Sequence, residues 1–281
     1  MKHILVTIMA IAISLPGIQW YDGTLQQALQ QALQQALQQA LQLSAQNSQD
    51  HNDRQNLVFV DCYTQTCPPC KMMLAKIFPT KQAGDYFNRR FINIKLDLSS
   101  PENAWVSEKY DVSTFPTFLF LSPDGSELCR IVGASDTPGQ FIARVEHAMD
   151  PANRVEVLLN NFISTNNPEF LLQYLQRLQK EGQYRKLREY VINNYDELSF
   201  KADPGFWKYI KIAINLQNLS VLEKVLADKA KFYKSLGKER FEKDIYNDLK
   251  YELNLYNRKG GNYPEANIAR AQEIMQMFSP I

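Results

Sequence analysis

Apolar residues change period along the chain, and the changes mark out its parts. Leu25, Leu29, Leu33, Leu37 and Leu41 recur every four residues within four copies of Gln-Gln-Ala-Leu. Leu, Ala and Gln are good helix formers, so this stretch predicts a helix. Thr24 is placed to cap it, with Gln27 reaching back as in a capping box. A helix turns in about 3.6 residues, so a four-residue stripe drifts by about 40° per repeat. The stripe cannot hold one straight seam and is no heptad coiled coil. It reads as a repeat-expanded amphipathic helix whose segment 26–37 is dispensable for activity, with an oligomerisation helix as the other reading. The polar stretch from Ser44 to Gln55 predicts a loop.

Leu57-Val58-Phe59-Val60 then has the continuous apolar character of a buried strand. Pro68 suits the first position of a helix, which Phe78-Pro79 ends or kinks. Phe91–Leu96 predicts a second strand and Glu102–Lys109 a helix. Pro116–Leu121 and Leu128–Val132 form a strand pair across the turn Ser122-Pro123-Asp124-Gly125. Pro138–Met149 closes the order β-α-β-α-β-β-α, and Ile18–Tyr21 is a candidate short strand before the repeat helix. From Pro151 no strand is predicted. Asn167-Pro168 and Asp203-Pro204 each read as a cap followed by proline, 36 residues apart. Phe170 and Phe206 share that offset, as do Gly182 and Asn218, which points to repeated helix–turn–helix units. Helices near 238–258 and 264–277 extend this all-α half. Its aromatic positions, such as Phe206, Tyr209 and Tyr233, suit core packing, with a partner-binding groove as the sharper reading.

Composition narrows the classes. The 281 residues are 45% hydrophobic and carry a formal charge of +1, so no basic footprint for nucleic acid is present. Lys2-His3, the apolar run Ile4–Leu15 and the break at Pro16-Gly17 read as a signal peptide, too short to span a bilayer. Cleavage is expected after Ser14, with Ala12 at the −3 place, or near Gly17. No later stretch is apolar enough to cross a membrane, so no stable span remains after cleavage. Export, with the periplasm as the expected compartment, puts four cysteines in oxidising surroundings.

Cys67-Pro68-Pro69-Cys70 opens a helix. The first thiol then lies at the positive end of the helix dipole, which favours thiolate, the attacking species in disulfide exchange. Cys67 is the candidate nucleophile and Cys70 the resolving thiol, with Pro68 and Pro69 stiffening the turn. A zinc site competes, but needs about four ligands and has no second such pair; a permanent structural disulfide also competes. Cys62 and Cys129 read as small buried hydrophobes.

Phe59-Val60-Asp61-Cys62-Tyr63 followed by Cys67-Pro68-Pro69-Cys70-Lys71 resembles the thioredoxin-like superfamily, as do Phe115-Pro116-Thr117 and the hairpin Gly125–Ala134 ending in Val132-Gly133-Ala134. Cys70-Lys71-Met72-Met73 with Phe78 and Pro79 is similar to domains of exported interchange reductases. The resemblance covers about residues 56–150. It implies an α/β fold, a central mixed sheet flanked by helices. It also implies a buried acid at Asp61 that relays a proton to Cys70, and a lysine at Lys95 paired near that acid. A cis bond at Phe115-Pro116 would receive an extended substrate chain. Thr66 stands on the substrate side where the family often has Trp, Tyr63 replaces another, and Pro-Pro replaces the commoner Gly-Pro. The spacing in the second half resembles tetratricopeptide-like arrays, although most of that family's signature residues are missing.

The reading is therefore four parts: 1–17 signal peptide, 18–55 lead-in strand and repeat helix, 56–150 thioredoxin-like domain, 151–281 helical domain. The expected function is exported thiol–disulfide exchange on protein disulfides, as reductase or isomerase, without cofactor or metal. Its partners would be protein thiols and disulfides, an upstream electron donor, and a protein on the helical domain. The competing function is a binding or assembly module on a redox-inactive scaffold.

Overall fold

The computed structural model describes residues 16–46, 57–198, 201–259 and 263–278. The signal-peptide run therefore lies outside the described residues. Among the described residues, no helix is long and apolar enough to cross a membrane. The chain divides into two compact units, one ending at Arg154 and the other starting at Val155.

The first unit is built on a four-stranded sheet of order β2-β1-β3-β4. β1 (Leu57–Tyr63) pairs in parallel with β2 (Phe91–Asp97) and antiparallel with β3 (Thr117–Leu121). β3 pairs antiparallel with β4 (Glu127–Val132) across the expected turn. The sheet is mixed, with a layer of side chains on each face. Alternate residues sort the layers, as the two-residue period of a strand requires. Phe59, Phe118 and Phe120 face one way, into a cluster with Phe78, Phe87 and Phe141. Ring centroids are 4.7 Å apart for Phe59–Phe87 and 4.8 Å for Phe118–Phe141. Val58, Val60, Cys62, Leu119 and Leu121 face the other way, into an aliphatic cluster.

Helices cover both faces. α1 (Leu25–Gln46) lies on the aliphatic side, after the capping box: Thr24 N–H donates to Gln27 Oε1 at 2.8 Å, and Gln27 N–H to Thr24 Oγ1 at 3.2 Å. α1 runs to Gln46, so Ser44, Ala45 and Gln46 are helical rather than loop, and the rest of the expected loop, 47–55, lies outside the described residues. α2 (Pro68–Met72) passes into a π-helical turn, Met73–Ile77, and the chain breaks at Phe78-Pro79. Thr80 then caps α3 (Lys81–Arg90), accepting from Ala83 N–H at 3.3 Å, so two helices rather than one link β1 to β2. α4 (Ala104–Tyr110) joins the aliphatic layer through Val106 and Tyr110, and α5 (Pro138–Met149) joins the phenylalanine layer.

The candidate strand Ile18–Tyr21 is a single parallel bridge, Trp20 to Asn93. Ile18 N–H donates to Phe78 O and Tyr21 N–H to Asn93 O of β2, and side chains add to the fastening: Asn88 Nδ2 donates to Gly17 O at 3.0 Å and Asn93 Nδ2 to Gln19 O at 3.2 Å. Gly84 permits this approach, since a Cβ there would stand 2.4 Å from Gly17 O.

The leucine stripe of α1 drifts off the sheet as its period demands. Leu25 is buried, Leu29 half-buried and Leu33 is 45% exposed, while Ala28 and Ala32 are fully buried. The seam follows Leu25, Ala28 and Ala32, three and then four residues apart. Ala28 and Ala32, both within segment 26–37, are therefore packing residues, and removing that whole segment would bring Ala40 to the place of Ala28.

The second unit is helical: α6 (Val155–Thr165), α7 (Pro168–Lys180), α8 (Tyr184–Asn194), α9 (Pro204–Ala213), α10 (Ser220–Ala227), α11 (Lys229–Leu236), α12 (Lys238–Lys259) and α13 (Glu265–Met277). Asn167 and Asp203 cap α7 and α9 as expected, each accepting from a backbone N–H two residues on. The paired units diverge after those caps: α7 has 13 residues and α9 has 10, and Asn215 and Asn218 form an isolated bridge where the other unit turns through Gly182. Tetratricopeptide-like character is therefore not established. Phe206 and Tyr209 are buried in this unit's core, and Tyr233 packs against it.

Ala32→Leu, which adds volume where none is free, should lower stability by about 1–3 kcal/mol in urea unfolding. Leu33→Gln, one residue on, should change it by no more than about 0.5 kcal/mol. Equal effects at the two positions would contradict the seam.

Candidate active site

β1 delivers the site. Past Tyr63 the chain turns, with Cys67 N–H donating to Thr64 O at 3.2 Å, and α2 begins. Cys67 is the N-cap residue and Pro68 and Pro69 occupy the first two helical positions. Cys67 and Cys70 are joined in a disulfide, with Cα atoms 5.3 Å apart. Cys70 N–H donates to Cys67 Sγ at 3.2 Å. Helix starts leave N–H groups unpaired, but the two prolines have none to offer. The Cys70 amide is thus the donor given to this sulfur. Cys70 is 2% exposed and Cys67 8%.

The other predicted residues distribute around this pair. Thr66, Pro68 and Pro69 are exposed at the rim. The Phe115-Pro116 bond is cis. Pro116 immediately precedes Thr117, which pairs with Cys62, so the proline loop and the Cys67 turn leave the sheet at the same end. Pro116 is buried. Phe115 is half-buried and its ring packs against the aliphatic layer.

Asp61 lies opposite Lys95 on one side and Phe118 on the other, on the phenylalanine face. It is 1% exposed, and its Oδ1 has no hydrogen-bond partner. Burial pushes its carboxyl up to about 7, and the Lys95 charge pulls only partly against that. Lys95 itself is exposed.

Cys62 is buried on the aliphatic face, and burial, then the Asp61 charge, holds its thiol well above the ordinary range. Cys129 pairs with Phe120 and so faces the other layer, where its Sγ contacts Met149 Sδ at 3.5 Å. The two thiols lie on opposite faces of non-adjacent strands, which rules out a bridge between them.

Sequence reasoning missed two parts of the site. Met73 is fully buried in the π turn, and its Sδ accepts from Ser135 N–H at 3.4 Å. Gly133 N–H donates to Pro116 O at 2.9 Å. The segment after β4 therefore touches both the proline loop and the cysteine helix. A signal existed in Val132-Gly133-Ala134, but it was used for the hairpin alone.

A family model of the thioredoxin-like domain matches residues 41–149. A thioredoxin of Alternaria alternata is 32% identical over 92 residues, spanning 31% of this chain and 72% of that protein. Thioredoxin-2 of Saccharomyces cerevisiae is 37% identical over 79 residues, spanning 28% of this chain and 69% of that one. This chain belongs to the thioredoxin-like disulfide oxidoreductase family. A solved structure of a putative disulphide-isomerase from Bacteroides thetaiotaomicron is 31% identical, covering 48% of this chain and 96% of its own, with a TM-score of 0.38. A peptide-N(4)-(N-acetyl-beta-glucosaminyl)asparagine amidase of Caenorhabditis elegans is 25% identical over 130 residues, only 19% of that protein's length. The family-model match lies in the first unit.

The buried acid gives a test. Unfolded, an Asp releases its proton near 4; folded, Asp61 keeps it up to about 7. Between those values the folded state binds more protons, so this group lowers stability as pH rises through that window. Asp61→Asn should remove that slope and exceed wild type above pH 7 by an amount on the order of 4 kcal/mol or less. Parallel stability curves from pH 4 to 8 would show that Asp61 is not held neutral.

Proposed function

We propose that this chain is an exported thiol–disulfide oxidoreductase acting on protein disulfides, as a reductase or isomerase rather than an oxidase. The observation that carries the exchange reading is the Cys67–Cys70 pair at a helix start, with the Cys70 amide on Cys67 Sγ. In the reduced enzyme, Cys67 thiolate attacks one sulfur of a substrate disulfide, and the other sulfur leaves as thiolate and takes a proton. Cys70 then attacks Cys67 Sγ, the second substrate thiol leaves, and the Cys67–Cys70 disulfide forms. The substrate gains two electrons, and a donor dithiol restores the pair. No further cofactor enters. Asp61, titrating near neutrality, is suited to take the Cys70 proton when that thiol must attack. The Pro116 loop, at the same sheet end as Cys67, is the place for an extended substrate chain.

The prolines favour the reducing direction. A strong oxidant owes its high potential to a stabilised thiolate in the reduced form. Pro68 and Pro69 withdraw two amide donors from the turn beside Cys67, so that stabilisation is smaller here. Export rests on Lys2-His3, Ile4–Leu15 and Pro16-Gly17. A partner role for the helical unit rests on its cleft, where Lys208 and Arg240 stand beside Trp207 and Tyr209.

Cys70→Ser should accumulate mixed disulfides that vanish in the Cys67→Ser/Cys70→Ser double variant. Equilibration of the wild-type pair with glutathione should give a potential nearer the about −270 mV of a reducing thioredoxin than the about −120 mV of a strong oxidant. Failure to trap any protein would favour the scaffold reading, and a potential at the oxidant end would reverse the assigned direction.

A further inference from the structure

Past Val132, the last residue of the β3–β4 ladder, the backbone loses its strand partners. Gly133 turns away with φ 86°, and the next carbonyls converge on one side chain. Arg144, half-buried on α5, donates from Nη2 to Val132 O at 2.8 Å, and from Nη1 to Gly133 O at 3.1 Å, Ala134 O at 2.9 Å and Ser135 Oγ at 2.8 Å. Three successive carbonyls and a hydroxyl meet one guanidinium. A flat fork of donors can serve such a set where an ammonium point charge cannot.

The other ends of this segment point at the site. Gly133 N–H holds Pro116 O, and Ser135 N–H meets Met73 Sδ, three residues beyond Cys70. Arg144 is bonded to neither cysteine. Each of these four bonds ends on the short segment that spans the proline loop and the cysteine helix.

We propose that Arg144 is a positioning residue for protein substrates: by gathering the carbonyls of 132–134 and Ser135 Oγ, it sets where the Pro116 loop stands relative to the cysteine helix. The proposal rests on the exchange reading and deepens it. The Cys67 sulfur keeps its own amide donor from Cys70, so reaction with a small disulfide needs no Arg144. An extended protein chain, which must lie along the proline loop while its sulfur reaches Cys67, does need it.

The test uses the full chain with Arg144→Gln and Arg144→Lys, insulin as protein disulfide and glutathione disulfide as small substrate. For Arg144→Gln, the KM for insulin should rise about tenfold, the equivalent of about one net hydrogen bond, with kcat and the glutathione disulfide rate held within about twofold. Arg144→Lys should fail to rescue, since it restores charge without the fork. Amide exchange at Gly133 and Ser135 should quicken in both. Rescue by lysine, an unchanged KM, or equal losses on both substrates would overturn the proposal. Should Arg144→Gln not fold, Ser135→Ala deletes one acceptor and keeps the amide to Met73. It should raise the insulin KM about threefold, and no change would overturn the proposal. An inactive wild type overturns the exchange reading itself; an active wild type matched by Arg144→Gln overturns only the role of Arg144.

Discussion

The central strand β1 has no solvent face, and that constraint organises the whole redox unit. Val58, Val60 and Cys62 face one packed layer, Phe59 and Asp61 the other, with strands paired along both edges. A carboxyl in that place must stay neutral, find a partner or pull the fold apart. The exposed Lys95 offsets only part of the burial, so the acid is left titrating near neutrality. A hydrophobic residue at 61 would pack more simply. The unpaired Oδ1 is a local cost that makes sense if a proton must arrive and leave there.

The same strand ends where the chemistry begins. Its last residues pair with Thr117, just after the cis proline, and its continuation turns into the cysteine helix. Two segments distant in sequence thereby reach one end of the sheet without any contact between them having to be encoded separately. Parallel pairing with β2 requires a crossover, which α2, the π turn and α3 provide. The break at Phe78-Pro79 lets that crossover bend around the phenylalanine layer.

Much of this was legible in the residues. The continuous apolar run Leu57–Val60, the strand signal at Pro116–Leu121, the proline-started helix and the turn at Asp124-Gly125 are local signals, and each matched an element. Local signals also placed the caps at Asn167 and Asp203. What the sequence hid depended on long-range fastening. Ile18–Tyr21 reads as a strand but meets β2 in a single bridge, and the Asn88 and Asn93 side chains that help to fasten this segment lie 71 and 74 residues from the carbonyls they hold, with no local cue. The cis bond at Phe115-Pro116 is as the resemblance implies, while the packing of the Phe115 ring against the aliphatic layer has no local cue. Arg144 reads as an ordinary helix-surface arginine until the carbonyls that converge on it are known.

The repeat helix shows why a period is not a surface. Four-residue spacing keeps leucine on the sheet for barely two turns before rotation carries it away. The seam survives longer only because alanine follows each Gln-Gln, and at Ala28 and Ala32 it takes over the buried position. The repeat thus supplies a leucine anchor followed by close alanine contacts at Ala28 and Ala32.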